Sequence, residues 1–257
     1  MKLTFLGTGT SFGVPVIGCD CPTCTSDDPR DRRTRHAALL TEGEDTVLVD
    51  TPPELRLQLT GAGVKALDAV WVTHCHADHV QGIDDLRAVS AHRGRRLDVH
   101  VSAACRRILE HRFDYIFGEY SPPPGTTKPR LRLRAFDALE TVEVGPFRLK
   151  ALPVQHGPMT VYGFRVGDLG YITDAKTLGP GTREALEGVR TLVLNALWFG
   201  NPHPTHLNVE EAVELARQIG PERTYLTHIT HRVRHAELER DLPDDIRPAH
   251  DGLTVEA

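Results

Sequence analysis

Apolar residues along this chain fall into short β-branched runs that alternate, further on, with stretches of helical period. The runs at Lys2–Leu6, Thr46–Asp50, Ala69–Thr73, Asp98–Val101, Phe147–Val154, Val161–Val166, Gly170–Thr173, Thr191–Leu194 and Arg223–Leu226 predict strands. Helices are predicted near Pro53–Thr60, Gly82–Ala91, Ala103–His111, Gly181–Leu186, Val209–Ile219 and His235–Arg240. Early hairpin-type runs followed by strand–helix alternation imply two sheets covered by helices. The least regular stretch is Phe113–Arg134. Ser121-Pro122-Pro123-Pro124-Gly125 bars a helix there, so a long loop or flap near the site is expected.

Composition narrows the class. At 257 residues with 40% apolar residues, the chain can bury one sizeable core, read here as a single domain over 1–257. A net charge of −5 gives no global attraction to nucleic acid. The first residues, Met1-Lys2-Leu3-Thr4-Phe5-Leu6-Gly7, do not read as a signal peptide, and no apolar run is long enough to span a membrane. Five cysteines, three of them crowded together, point to a reducing cytoplasm. Cys75 and Cys105 have no obvious partners, and Cys75 reads as a small packed side chain.

Chemistry concentrates in Thr73-His74-Cys75-His76-Ala77-Asp78-His79. A helix would scatter these imidazoles, whereas a loop can converge them. The cluster follows a predicted buried strand, and strand C-termini are where α/β proteins build sites. Imidazole with carboxylate suits zinc, manganese or iron(II). A second cluster, Cys19, Cys21 and Cys24 in a loop over about 18–25, offers three thiolates of a tetrahedral zinc site, and His231 is the candidate fourth ligand.

The pattern His-x-His-x-Asp-His resembles the signature of the metallo-β-lactamase-fold hydrolases. The resemblance implies a four-layer αββα sandwich and two active-site metals (manganese or zinc, or iron). It assigns His74, His76 and His156 to one metal, Asp78, His79 and His228 to the other, and Asp174 as the bridge. Cys-x-Cys-x-x-Cys near the start and Thr227-His228-Ile229-Thr230-His231 near the end resemble the branch that contains the phosphoribosyl cyclic phosphate phosphodiesterase of the carbon–phosphorus lyase pathway. That likeness runs from Leu6-Gly7-Thr8-Gly9-Thr10 to Asp251-Gly252. It implies hydrolysis of a small cyclic phosphate or nucleotide-like phosphodiester by a hydroxide shared between the metals. It also implies catalytic roles for Asp78 and for His206 as general acid, with His203 a nearby competitor.

Asp50 and Asp251 are candidate partners for a ligand histidine. Asp84, Asp85 and Arg87 read first as a helix start, and Arg32-Arg33-Thr34-Arg35-His36 as a solvated basic face. Asn195 stands where the related branch tends to carry an acidic residue. The expected partner is a small-molecule phosphodiester, with no membrane; a homodimer is allowed. Three alternatives stay open: a tRNA 3′-processing nuclease gripping RNA through Lys128, Arg130, Arg132 and Arg134, a thioester or lactone hydrolase, and a non-catalytic metal-stapled scaffold.

Overall fold

A computed structural model describes residues 1–92 and 96–257. The first sheet takes β1 (Lys2–Gly7), β2 (Ala37–Glu42), β3 (Asp45–Val49), β4 (Ala69–Trp71), β5 (Leu97–Ser102) and β6 (Leu131–Phe136). The second takes β7 (Thr141–Val144), β8 (Phe147–His156), β9 (Met159–Val166), β10 (Leu169–Tyr171), β11 (Thr177–Leu178), β12 (Thr191–Asn195), β13 (Arg223–Thr227) and β14 (Ile246–Pro248). The last strand, β15 (Thr254–Glu256), returns to the first sheet beside β1. The orders are β15-β1-β2-β3-β4-β5-β6 and β11-β8-β9-β10-β12-β13-β14, with β7 on β8.

Side-chain alternation turns these sheets into four layers. In β4 and just past it, Ala69 and Trp71 pack between the sheets while Val70 and Val72 face outward under helices. Val47 and Val49 against Leu48 in β3, and Val193 against Leu192 and Leu194 in β12, do the same. Both faces of each strand are therefore buried, which is why these segments read as unbroken apolar runs. The outer layers include α1 (Leu55–Gly61), α2 (Ala77–Val80), α3 (Leu86–His92), α4 (Ala103–Arg112) and α5 (Asp114–Phe117) on one side. On the other lie α6 (Pro180–Ala185), α7 (Val209–Ile219) and α8 (His235–Asp241). The αββα sandwich is the metallo-β-lactamase fold.

The parallel strands position the chemistry. β3, β4, β5 and β6 run parallel, as do β10, β12, β13 and β14. Their C-terminal ends deliver Asp50, His74, Asp174, Asn195 and His228 toward one rim. α7 begins with a capping box, Asn208 and Glu211 satisfying each other's backbone N–H, and stops at Gly220 in the left-handed conformation. That start fixes the segment holding His203 and His206.

Four expectations change. Asp78 and His79 sit on a one-turn helix, α2, which begins after His76; the cluster is half loop, half helix. A single turn suffices because Asp78 and His79 serve one point while His74 and His76 reach it from the extended side. The Phe113–Arg134 stretch is not one loop: α5 occupies its start and β6 its end, and only the proline segment between is irregular. The basic run is not a solvated face. Arg33 is fully buried, donating to Thr8 Oγ1 and the Ala249 carbonyl and meeting His235 Nδ1, and His36 is buried as well. Finally, Cys75 and Cys105 form a disulfide. They follow β4 and β5, parallel neighbours, so the residues just past their C-termini meet.

Candidate metal centre and active site

All the histidines and aspartates singled out for two metals converge on one rim. Asp78, His79 and His228 offer ligand atoms within 4.8 Å of one another, as do His74, His79 and Asp174. His74 Nε2 lies 2.9 Å from His76 Nδ1, and the His156 ring packs 5.3 Å from that of His76. His228 Nε2 is 3.2 Å from Asp174 Oδ1 without hydrogen-bond geometry. His76, Asp78, His156, Asp174, His206 and His228 line a cavity of about 270 Å³, with His74 and His79 buried behind it.

The imidazoles are held in a chosen tautomer. His79 Nδ1–H donates to Asp50 Oδ2 at 2.7 Å, His74 Nδ1–H to Thr73 Oγ1 at 3.1 Å, and His156 Nδ1–H to the Thr205 carbonyl at 3.0 Å. Each turns Nε2 away from its Nδ1 partner; His79 Nε2 is left unpartnered and His74 Nε2 meets His76 Nδ1. His79 Nε2 and both nitrogens of His228 are buried without a hydrogen-bond partner. Orphaned buried acceptors are costly, and a cation beside them removes the cost. The donor set therefore fits divalent metals.

Asp50 organises this layer. Buried after β3, it also accepts from His36 Nδ1 at 2.9 Å and from the Thr73 amide at 2.8 Å and hydroxyl at 2.8 Å. The Tyr171 hydroxyl completes the chain by donating to His36 Nε2. Burial pushes the Asp50 carboxyl up, but His79 and His36 outweigh it and hold it well below the usual carboxylate range. Asp251, the other candidate partner, touches no ligand; it ties Thr8 to Thr34. Asp50, Asp174 and His228 have φ of 61°, 52° and 58°, a left-handed backbone that non-glycine residues adopt at a cost. That turn swings each side chain from the end of its strand into the rim.

Asp174 is likewise ionised: His228 and His79 outweigh the raising effect of burial. The Asp174 loop is pinned by Asn195, whose amide accepts from Ala175 N–H at 2.7 Å and donates to the Ala175 carbonyl at 3.1 Å. An amide can do both and a carboxylate cannot, which accounts for asparagine at this position. His206 Nε2–H donates to Asp174 Oδ1 at 3.1 Å, and its ring stacks on His228 at 5.0 Å. With His156 and Asp174 it also forms a group that could ligate. Burial lowers the His206 imidazole below its ordinary value despite Asp174. His203 lines the same cavity, its Nδ1 3.2 Å from His206 Nδ1. Asp84 pairs with Arg87 and accepts from Tyr115, away from the cavity, and no residue of 113–134 lines it.

The second cluster assembles too. His231 Nδ1 lies 3.3, 3.4 and 3.7 Å from the sulfurs of Cys19, Cys21 and Cys24. Burial matters less for Cys21, whose thiol is lowered to about 6 chiefly by the Cys24 amide, whereas burial lifts Cys24 to about 11.

Sequence reading missed the outer wall of the cavity: Thr10, Ser11, Phe12, Leu197, Trp198 and Thr230. It also missed His36, Thr73 and Tyr171 behind the ligands. A larger hollow, about 1060 Å³, lies over β1–β3 and α1 and has no histidine or cysteine in its walls.

Known proteins similar to this chain share its fold and differ in activity. The Beta-lactamase superfamily domain family matches residues 45–229. A crystal structure described as a new diphosphatase from the PhnP family is 38% identical, covering 99% of this chain and 96% of that one, with a TM-score of 0.91. An octanoyltransferase of Porphyromonas gingivalis is 36% identical over 98% of this chain, but the match takes in only 51% of that protein. The chain thus spans about half the length of this curated relative. A ribonuclease Z of Methanopyrus kandleri is 26% identical over 86% of this chain and 91% of its own. The zinc-bound PqqB structure from Methylobacterium extorquens shares the fold at a TM-score of 0.80 and 18% identity.

Proposed function

The chain belongs to the metallo-β-lactamase superfamily, and from that premise we propose that it is a metal-dependent phosphodiesterase acting on a small cyclic phosphate or nucleotide-like phosphodiester. The observation that carries this reading is the convergence of His74, His76, Asp78, His79, His156, Asp174 and His228 on one rim, with His79 Nε2 and both His228 nitrogens buried without a hydrogen-bond partner and Asp174 ionised. In this reading His74, His76 and His156 would hold one divalent ion and Asp78, His79 and His228 a second, with the Asp174 carboxylate available to both. Two such ions supply Lewis acidity toward phosphoryl oxygens and lower the pKa of water.

The chain's own residues do the rest. Asp50, Thr73 and the Thr205 carbonyl fix the imidazoles. His206 reaches into the cavity beside Asp174 and supplies the proton for the leaving oxygen at Nε2. The negative charge of a phosphodiester offsets the lowering by burial and favours the imidazolium. Cys19, Cys21, Cys24 and His231 would hold a structural zinc. Residues 1–257 act in this reading as one cytoplasmic hydrolase domain; the three free thiols favour that compartment and the Cys75–Cys105 disulfide pulls against it.

The likeness to a diphosphatase supports phosphorus chemistry. The ribonuclease Z relative keeps a nuclease as the second reading. Arg132 and Arg134 share the single carboxylate of Asp98, so positive charge remains on this stretch, but none of its residues lines the cavity with the ligand histidines. Acyl transfer is not carried over, because the match covers half of that protein.

The test is hydrolysis of bis(p-nitrophenyl) phosphate with manganese or zinc. Asp174→Ala abolishes turnover, and His206→Ala lowers kcat by about 10²–10⁴. No turnover of any phosphodiester with either metal contradicts the proposal.

A further inference from the structure

Two aromatic side chains stand in the wall of the cavity that holds the ligand histidines. Phe12 and Trp198 both line the 270 Å³ cavity, on loops from opposite halves of the chain. Phe12 is 71% exposed and has no ring partner among the described residues. A lone exposed phenylalanine is ordinary; one that lines the cavity of the ligand histidines together with a second aromatic is not.

Trp198 is held in place. Its Nε1–H donates to the Asn201 carbonyl at 2.8 Å, the Arg232 guanidinium lies 4.3 Å over the ring, and the His203 edge abuts it at 5.6 Å. A fixed indole loses little entropy when a ring stacks on it. Trp198 and Arg232 also line an adjoining hollow of about 310 Å³ with Asn201. Trp198 thus stands between the cavity of the ligand histidines and a second hollow lined by Arg232 and Glu237. Arg232 and Thr230 flank His231, so the thiolate cluster braces this wall.

We propose that Phe12 and Trp198 form a base-binding subsite, and that the substrate is a phosphodiester carrying a planar nucleobase rather than a bare sugar cyclic phosphate. The inference rests on the phosphodiesterase reading above and names its substrate class. Stacking a base on an aromatic side chain is worth about five- to a hundredfold in affinity.

The experiment compares 2′,3′-cyclic AMP with methyl ribofuranoside 2,3-cyclic phosphate, which carries a methoxy group in place of the base. The wild-type ratio of kcat/KM is expected to favour the base by about tenfold or more, through KM. Phe12→Ala, at an exposed position that folding does not need, and Trp198→Leu each bring the ratio toward one. In parallel, AMP quenches tryptophan emission in the wild type, ribose 5-phosphate does not, and the quench disappears in Trp198→Leu. Equal turnover of both esters, or an unchanged ratio in both variants, overturns the subsite. Quenching by AMP without hydrolysis of any phosphodiester keeps the subsite and refutes the phosphodiesterase reading; absence of both quenching and base preference refutes the subsite alone.

Discussion

Asp50→Asn tests the layer behind the ligands with a change of one atom. The carboxylate accepts from His79 Nδ1, His36 Nδ1, and the amide and hydroxyl of Thr73, all between 2.7 and 2.9 Å. An asparagine amide keeps one oxygen and presents an NH₂ group to a neighbour that is itself a donor. Both histidines bond Oδ2 and the Thr73 amide bonds Oδ1, so either the NH₂ group takes the Oδ2 side, where His79 must give up its Nδ1–H and its Nε2 becomes protonated and can no longer ligate, or it opposes the Thr73 N–H and displaces the loop that carries His74. One charge-assisted bond of about 1.5–3 kcal/mol is lost. The consequence for metal affinity or kcat/KM is a drop of about 10–100-fold. Asparagine tolerates the left-handed backbone at this position, so strain does not confound the result. Chelator competition measures metal affinity, and bis(p-nitrophenyl) phosphate measures kcat/KM. The loss should fall on the histidine–aspartate site and leave the thiolate-bound zinc in place. Wild-type affinity and turnover in Asp50→Asn, with turnover lost in Asp78→Asn, would refute the reasoning.

Other outcomes follow from the same geometry. In metal-stripped protein Cys21, lowered to about 6, should be thiolate at neutral pH and react first with iodoacetamide. Its rate should climb as pH rises through about 6, while Cys24, lifted to about 11, reacts last and zinc protects all three; mass spectrometry of the alkylated peptides reads the order. Asn195→Ala leaves the amide and carbonyl of Ala175 unpaired in a buried place, so thermal unfolding should show a loss of about 2–4 kcal/mol and kcat should fall as Asp174 shifts. Gly157→Ala puts a Cβ 2.8 Å from Thr205 Cγ2 at φ +58°. That costs about 1–2 kcal/mol in denaturant titrations and moves the carbonyl that orients His156, lowering kcat/KM.

Much of this architecture is legible in one dimension. Strands buried on both faces read as β-branched runs, and the capped, amphipathic α7 announces itself at both ends. The ligands were legible because they follow strand ends, directly or, for Asp78 and His79, on the helical turn just beyond, where local order and chemistry coincide. What escaped depends on partners distant in sequence. β6 carries a clear alternation, Leu131, Leu133 and Phe136 buried among exposed arginines, yet lies beside the proline segment and was absorbed into a loop. Arg33 and His36 look solvated in a basic run, but meet His235, Asp50 and Tyr171 only once the sandwich closes. The Cys75–Cys105 bond needs the knowledge that β4 and β5 are neighbours. Phe12 and Trp198 gave no local signal, since cavity walls are a product of loop placement.

The most direct test is elemental analysis of the purified protein with anomalous scattering from its crystals. Three metal ions per chain are expected: one among Cys19, Cys21, Cys24 and His231, and two near each other around Asp174. A single ion confined to the thiolates, with an empty Asp174 site in the presence of excess manganese or zinc, would contradict the account.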